Sequence, residues 1–539
     1  MRRAYPVAAV RAAETALMAT LPEGTLMARA ADGLARTCLA LLHGAYGARV
    51  VLLVGSGDNG GDALYAGALL ARRGARVDAI VVSGRAHPAG LRALAAAGGR
   101  VVALAPGDFD AGPFGQGQSA AGGPGWTAPH GPEPQTLLAR ADLVVDGVVG
   151  IGGRGPLRPA VAALVQAVDR GDAWRVAVDL PSGVDADTGA VPGAVFTADV
   201  TVTFGTAKPG LLVTPGATVA GVLEVVDIGL GPWLAPPSPG SGDVAVLETG
   251  DVAASWPVPA PADDKYTRGV VGVVAGSTAY PGAAVLCVGA ALRAGAGMVR
   301  YDGPAADQVS ARWPEAVLGP GRVQALVVGP GLGTGADATR RVRSALESQT
   351  AVLVDADGLT VLAENTRWLS ARAERGAVTV LTPHDREFSR FGRPVGPDRV
   401  QAARWLAASL GATVLLKGAT TVVAQPDGRA TVNPTGTAWL ATAGSGDVLA
   451  GITGALLAAG LGPDAPACAA FVHGLAGRLA AAGAPATALD VAESVPAAVA
   501  AILAGPGAQA PADRQGFWGV PGSGARRREH ADHRDRIAR

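Results

Sequence analysis

Cysteine is scarce in these 539 residues: the chain has three, Cys38, Cys287 and Cys468, far apart and in no C-x-x-C pair. That spacing excludes a disulfide framework or a thiolate zinc cage and fits a reducing compartment, so a cytoplasmic protein is expected. An excess of charge is missing as well, with Lys+Arg at 45 and Asp+Glu at 45. No global field favours nucleic acid or an anionic membrane, neither is expected as a partner, and any polyanion must be held by local groups. No export signal is expected in "MRRAYPVAAVRAAETALMAT", because Arg11 and Glu14 interrupt the apolar run it would need. Gly269 to Leu292 is uncharged for long enough to span a bilayer, yet its middle, "GSTAYPG", is turn chemistry. The stretch therefore reads as buried strand, glycine-rich turn and apolar helix.

What is present is a βαβ rhythm, in a chain long enough for about two to four domains. Valine-rich runs "RVVLLVGS", "RVDAIVVSG", "ADLVVDGVVG", "WRVAVDLPSG" and "ADVTVTFG" alternate with Ala- and Leu-rich segments. Continuous rather than alternating hydrophobicity predicts parallel strands covered on both faces, hence an α/β, doubly wound, Rossmann-like sheet. Pro106 to Gln135 is so rich in Gly and Pro that a surface insertion is expected. A low-complexity segment sets a linker at 233–245, with domains at 1–232 and 246–507. Strands resume with "GVVGVVAGS", "VQALVVGPGLG", "TAVLVDADGL" and "VTVLTPH", and "TVLLKGATTVVAQPDGRATVN" reads as two strands around "QPDGR". No internal repeat links the halves. Residues 508–539, polar and arginine-rich, are expected to be a disordered tail.

The first chemical signal is "GSGDNGGDAL", Gly55 to Leu64, between a strand and a helix. Its glycines allow close approach of a ligand, and the amides of a helix start favour an anion. A redox dinucleotide site would also want an acid closing the second strand; here Asp78 starts that strand and "VVSG" ends it. Asp58 and Asp62 would repel a pyrophosphate unless a cation or strong donors intervene. The bland reading is that Asp58 and Asn59 cap the helix and Gly60 and Gly61 make the turn. Against it stand two further polar strand ends, with Asp146 and with Asp179, Ser182 and Asp185. Their oxygen-only donors suit a hard cation.

"GSGDNGGDAL", "VVDGVVGIGGRG", "VAVDLPSGVDADTG" and "TFGTAKPG" together resemble the NAD(P)H-hydrate epimerase family over about residues 10–230. The resemblance implies that Asp58, Asn59, Gly60, Gly61 and Asp62, with Gly150, Ile151, Gly152, Gly153 and Arg154, hold the damaged coenzyme. It implies K⁺ on Asn59, Asp146 and Ser182, and Asp179 as acid/base. Asp58 stands where the family commonly has asparagine.

In "NPTGTAWLATAGSGDVLAGITGALLAAG" the small residues of "TAGSGD" lead into an apolar helix, an anion hole with Asp447 at its mouth. A base accepting a hydroxyl proton during phosphoryl transfer belongs there; the bland alternative is a capping aspartate. Lys417 at a strand end could meet phosphates, and His384 and Glu387 follow another strand. These segments, with "GPGLG" and "DADGL", closely resemble the ADP-dependent NAD(P)H-hydrate dehydratase family of the ribokinase-like superfamily, over about residues 246–505. The resemblance implies that Ala284, Gly333, His384 and Asp447 contact the hydrated coenzyme. It implies that Lys417, Gly418, Ala419, Thr420, Thr421 and Gly446 contact ADP, with Mg²⁺ assisting. "TPHDREF" departs from the commoner Pro-Gly-Glu ending and leaves the roles of Asp385 and Arg386 open. The expected partners are NAD(P)H-hydrate, ADP and a second copy of the chain as a homo-oligomer. The alternative is a kinase for a small vitamin-precursor alcohol fused to a non-catalytic binding module.

Overall fold

The valine-rich runs of the first half form one parallel sheet in a computed structural model that describes residues 1–104, 133–236, 238 and 240–505. The described residues divide into two compact units, one running from Ala4 to Pro236 and one combining Met1–Arg3 with those from 238 onward. The first strand in the chain, β1 (Arg2–Ala4), thus serves mainly the second unit.

The first unit is built on β2 (Arg49–Val54), β3 (Arg76–Val81), β4 (Arg100–Ala103), β5 (Leu143–Gly147), β6 (Trp174–Val178), β7 (Val200–Phe204) and β8 (Val222–Val226). Their order is β4-β3-β2-β5-β6-β7-β8, with every neighbouring pair parallel. The chain winds from β2 out to β4 and then returns to β5 on the other side of β2. Strand periodicity sends Val50, Leu52 and Val54 to one face, under Leu34, Leu64 and Leu70, and Val51 and Leu53 to the other, under Leu164 and Val165. Each such burial contributes about 2 kcal/mol. Helices therefore cover both faces, and the crevice for a ligand falls at the carboxyl ends where the winding reverses.

The second unit contains β9 (Val244–Val246), β10 (Val270–Val274), β11 (Met298–Tyr301), β12 (Val317–Leu318), β13 (Ala325–Val328), β14 (Ala351–Val354), β15 (Thr379–Leu381), β16 (Thr413–Leu416), β17 (Thr421–Ala424) and β18 (Ala430–Asn433). With β1 they order as β1-β9-β18-β17-β16-β15-β14-β13-β10-β11-β12. The run from β16 through β10 to β12 is parallel, whereas β17 is antiparallel to both of its neighbours. The helix Ser445–Ala458 is buried along nearly its whole length, as a helix apolar all round must be. It packs closely on the helix Pro281–Arg293 because Gly451 has no Cβ, which would lie 2.2 Å from the Cys287 carbonyl oxygen.

Several boundaries differ from the sequence reading. Residues 1–3, read as part of the first domain, add an edge strand to the second sheet, where Arg3 pairs with Asp243 at 2.5 Å. Val244 and Ala245, read as linker, are buried residues of β9. The end of the Gly/Pro-rich stretch already starts a helix, Pro134–Leu138, while residues 105–132 and the tail from 506 lie outside the described residues. The stretch around "QPDGR" holds three strands, because Lys417–Thr420 reverses the chain between β16 and β17. Gly269 to Leu292 does form strand, turn and helix, and no described helix is long and apolar enough to cross a membrane.

Candidate active sites

In the first unit, the strand ends build a cavity of about 200 Å³ where the winding reverses. Gly55 and Ser56 after β2, Ser83 after β3, Val148, Val149 and Gly153 to Arg158 after β5 and Gly183 to Asp185 after β6 line it in part, while Gly150, Ile151 and Gly152 lie outside the lining. Two glycines of the opening motif serve packing here. A Cβ on Gly60 would lie 2.3 Å from the Gly55 carbonyl oxygen, and one on Gly61 would press on Met27 and His87. Gly57 is the N-cap of the helix Asp58–Arg72 and no side chain caps that helix, so Asp58 and Asn59 lie in its first turn. Asn59 instead donates Nδ2 to the Val178 carbonyl at 2.6 Å, which brings its amide against Gly150.

Asp146, at the end of β5, is fully buried. One of its oxygens accepts from the Ser182 hydroxyl at 2.7 Å and the Val148 amide at 3.2 Å, and the other from the Ser182 amide at 2.7 Å. Burial outweighs these bonds and pushes its carboxyl up to about 6. No basic side chain pairs with it among the described residues. A buried carboxylate without a counterion, beside a hydroxyl, is a place where a cation could be held.

Asp179 follows β6 with φ at +67°, a left-handed backbone that costs a non-glycine residue about 1 kcal/mol or more. Its carboxylate ion-pairs with Lys208 and accepts from the Thr203 hydroxyl at 3.0 Å. Lys208 is 1% exposed and also donates to Thr203 at 2.9 Å and the Phe204 carbonyl at 3.3 Å. Asp62 is buried with Oδ1 lacking a hydrogen bond. Burial, then the fields of Asp179, Asp58 and Glu14, push its carboxyl well up. Glu14, from the helix Val7–Met18, is raised by burial first, with Lys208 opposing. Lys208, Thr203 and Glu14 carry no local sequence signal: the lysine sits in "TFGTAKPG" without a pattern of its own, and Glu14 comes from a remote helix.

In the second unit the ends of β14, β15 and β16 converge with the start of the helix Ser445–Ala458. Asp355, 1% exposed, accepts from Lys417 Nζ at 2.7 Å, and Glu387 lies 3.6 Å from the same ammonium. Burial alone would lower the lysine's pKa, but Asp355 and Glu387 hold it above its ordinary value. A Cβ on Gly446 would lie 3.5 Å from that ammonium. Gly444, at φ +87°, is the N-cap of this helix and no side chain caps it, so Asp447 lies in its first turn rather than capping it. Burial first, then the field of Asp355, pushes the Asp447 carboxyl up to about 7, with Lys417 opposing. Beneath, Ser445 meets the buried His473 at 3.2 Å, whose imidazole burial pushes down to about 4.

The "GPGLG" and "DADGL" loops are tied together, the Gly333 amide donating to Asp357 at 2.8 Å. Between the two aspartates Ala356 holds φ at +48°, a second strained turn. His384 accepts from the Arg386 and Glu387 amides through Nδ1, and Glu387 accepts from the His384 amide at 2.8 Å, a reciprocal cap that aims Glu387 inward. Asp385 has a role that the sequence left open: it takes both oxygens to Arg399, which donates at 2.8 Å to the Lys417 carbonyl. Arg386 is exposed. Gly418 and Ala419 are exposed, Thr420 is buried and Thr421 opens β17. Ala284 is fully buried, within reach of Gly276.

The family described as "YjeF-related protein N-terminus" matches residues 23–210, and that described as "NAD(P)H-hydrate dehydratase" matches residues 271–496. The chain is 49% identical over 494 residues to a Mycobacterium leprae protein named "Bifunctional NAD(P)H-hydrate repair enzyme Nnr", covering 89% of this chain and 95% of that one. A Corynebacterium glutamicum protein of the same name is 34% identical over 599 residues, covering 93% and 99%. Among solved structures, the Bacillus subtilis ADP/ATP-dependent NAD(P)H-hydrate dehydratase co-crystallised with ATP and Mg²⁺ is 27% identical, with a TM-score of 0.45, covering 48% of this chain and 99% of that one.

Proposed function

Because the chain belongs to the family of bifunctional NAD(P)H-hydrate repair enzymes, we propose that its two units restore hydrated NADH and NADPH between them. The first interconverts the R and S hydrates; the second dehydrates the S hydrate at the expense of ADP, releasing AMP and phosphate. Relatives that match both halves favour this over a small-alcohol kinase joined to a silent module.

The observation that carries the reading is Asp447, a half-buried carboxyl poised near neutrality in the first turn of a helix, beside Lys417. In the second unit Asp447 takes the proton of the hydroxyl on the hydrated ring as the phosphoryl group arrives. Lys417 and the amides of the Ser445–Ala458 helix start offset the charge on that group. The hydroxyl becomes a phosphate ester, and departure of phosphate with a proton from the adjoining carbon restores the ring double bond. Mg²⁺, when bound with the nucleotide, neutralises charge on the phosphates. Asp355 and Glu387 keep Lys417 protonated and aimed.

In the first unit Asp179 moves the proton, with Lys208 and Thr203 orienting its carboxylate. Asn59, Asp146 and Ser182 would hold K⁺, which supplies the missing positive charge beside the cavity. A cytoplasmic setting suits three buried free thiols.

The test offers purified protein a mixture of both NADH-hydrate epimers with ADP or ATP and Mg²⁺, and follows the return of NADH. Complete recovery is expected from the native chain, recovery of the S share alone from Asp179→Asn, and none from Asp447→Asn. Absence of nucleotide-dependent recovery in the native chain rejects the reading.

A further inference from the structure

The cavity of the first unit carries a feature that neither the proton transfer nor the cation site uses. Two arginines, Arg154 and Arg158, line it together with Ser83. Ser83 follows the carboxyl end of β3, and Arg158 Nη2 donates to the Val82 carbonyl at 3.2 Å, which holds the guanidinium against that strand end. Arg158 is also the N-cap of the helix Pro159–Asp169, whose first turn no side chain caps and which holds no acid there. Amide dipoles and a guanidinium therefore meet at one edge of the cavity. The one carboxylate in the lining, Asp185, is engaged by Thr188 at 2.8 Å and sits after β6, at the other end.

In a doubly wound sheet the end of the second strand is where the adenosine ribose of a dinucleotide is read. An acid there accepts from a free 2′-hydroxyl, and an arginine accommodates a 2′-phosphate. Here that strand is β3, its end has serine in place of an acid, and an arginine is tied to it. β3 and β6 are three strand spacings apart, about 14 Å, which is the scale of an extended dinucleotide reaching toward Asp179. The pyrophosphate belongs at the turn after β2, by Ser56, so Arg158 lies where only the phosphorylated coenzyme has a charge.

Resting on the epimerase reading above, we propose that Arg158 forms a 2′-phosphate subsite beside Ser83, whose hydroxyl donates to the Arg85 carbonyl at 2.8 Å and brings no negative charge, and that this makes NADPH-hydrate the preferred substrate of the first unit. The test measures kcat/KM for interconversion of the NADPH- and NADH-hydrate epimers in the full chain, in Arg158→Gln and in Ser83→Asp. The native ratio should favour NADPH-hydrate by about tenfold or more, the worth of one charge-assisted hydrogen bond. Arg158→Gln should bring the ratio near unity through KM, and Ser83→Asp should carry it below unity. A native ratio near unity, or an equal loss for both coenzymes in Arg158→Gln, which would mark a pyrophosphate contact, overturns the proposal while leaving the epimerase intact. If neither hydrate is interconverted by the native chain, the epimerase reading itself fails.

Discussion

Asp447 should harm the fold that it serves. Raising its carboxyl from the ordinary 3.8 to about 7 holds roughly 4 kcal/mol against the charged form, an upper figure for a group that is only partly buried. The folded chain retains a proton that the unfolded chain has released between these two values. Stability from this group is therefore intact near pH 4, declines as pH rises, and is fully lost above pH 7. Asp447→Asn removes the penalty together with the base. Relative to the native chain the variant should gain little at pH 4 and roughly 2–4 kcal/mol at pH 8. The same variant should lose about 10²–10⁴ in kcat for nucleotide-dependent dehydration. Hydrogen exchange along Val448–Ala458, the buried part of this helix, reads the stability difference at each pH. Equal exchange in both proteins at pH 4 and pH 8, or a gain that does not grow with pH, would refute the argument. Dehydration at the native rate would refute the role of Asp447.

Lys208→Met should strip the buried Asp179 of its counterion and destabilise the first unit by about 3–5 kcal/mol, visible as an earlier transition in chemical denaturation, while the second unit's transition stays put. Arg399→Ala should free the Lys417–Gly418 backbone and raise the KM for ADP by about tenfold, with a smaller change in kcat; Asp385→Asn should show a weaker form of the same split in steady-state kinetics. Ser182→Ala should abolish the difference in epimerisation rate between K⁺ and a bulky organic cation, measured at matched ionic strength.

The long valine runs were legible because burial on both faces leaves no alternation to confuse, and every one of them became a strand. The short edge elements were not. β8 alternates weakly, with Glu224 exposed at its middle, and β1 and β9 are three residues each, below any periodic signal. At the candidate sites, residues with a local motif can be singled out from sequence, as Asp447 and Lys417 can, and the fold brings these two to the same strand and helix ends. Those that act from a distance cannot: Lys208 lies 29 positions from Asp179, and Arg399 lies 18 from the carbonyl it steadies. Glycine serves close packing and open approach alike, so the packing of Gly60 and Gly61 against Gly55, Met27 and His87 was not legible in their motif.

The placement of β1 means that the stretch from Ala4 to Pro236 leaves and re-enters the same neighbouring sheet, like an appendix bound at both covers of a book. A single protease cut in the segment before β9 would not release it, since Arg2 and Arg3 would still be stitched to Glu248 and Asp243. During synthesis that sheet must wait, its opening strand already made, until more than two hundred further residues have been added. Dissecting the halves for separate study would call for grafting those first residues onto the later piece.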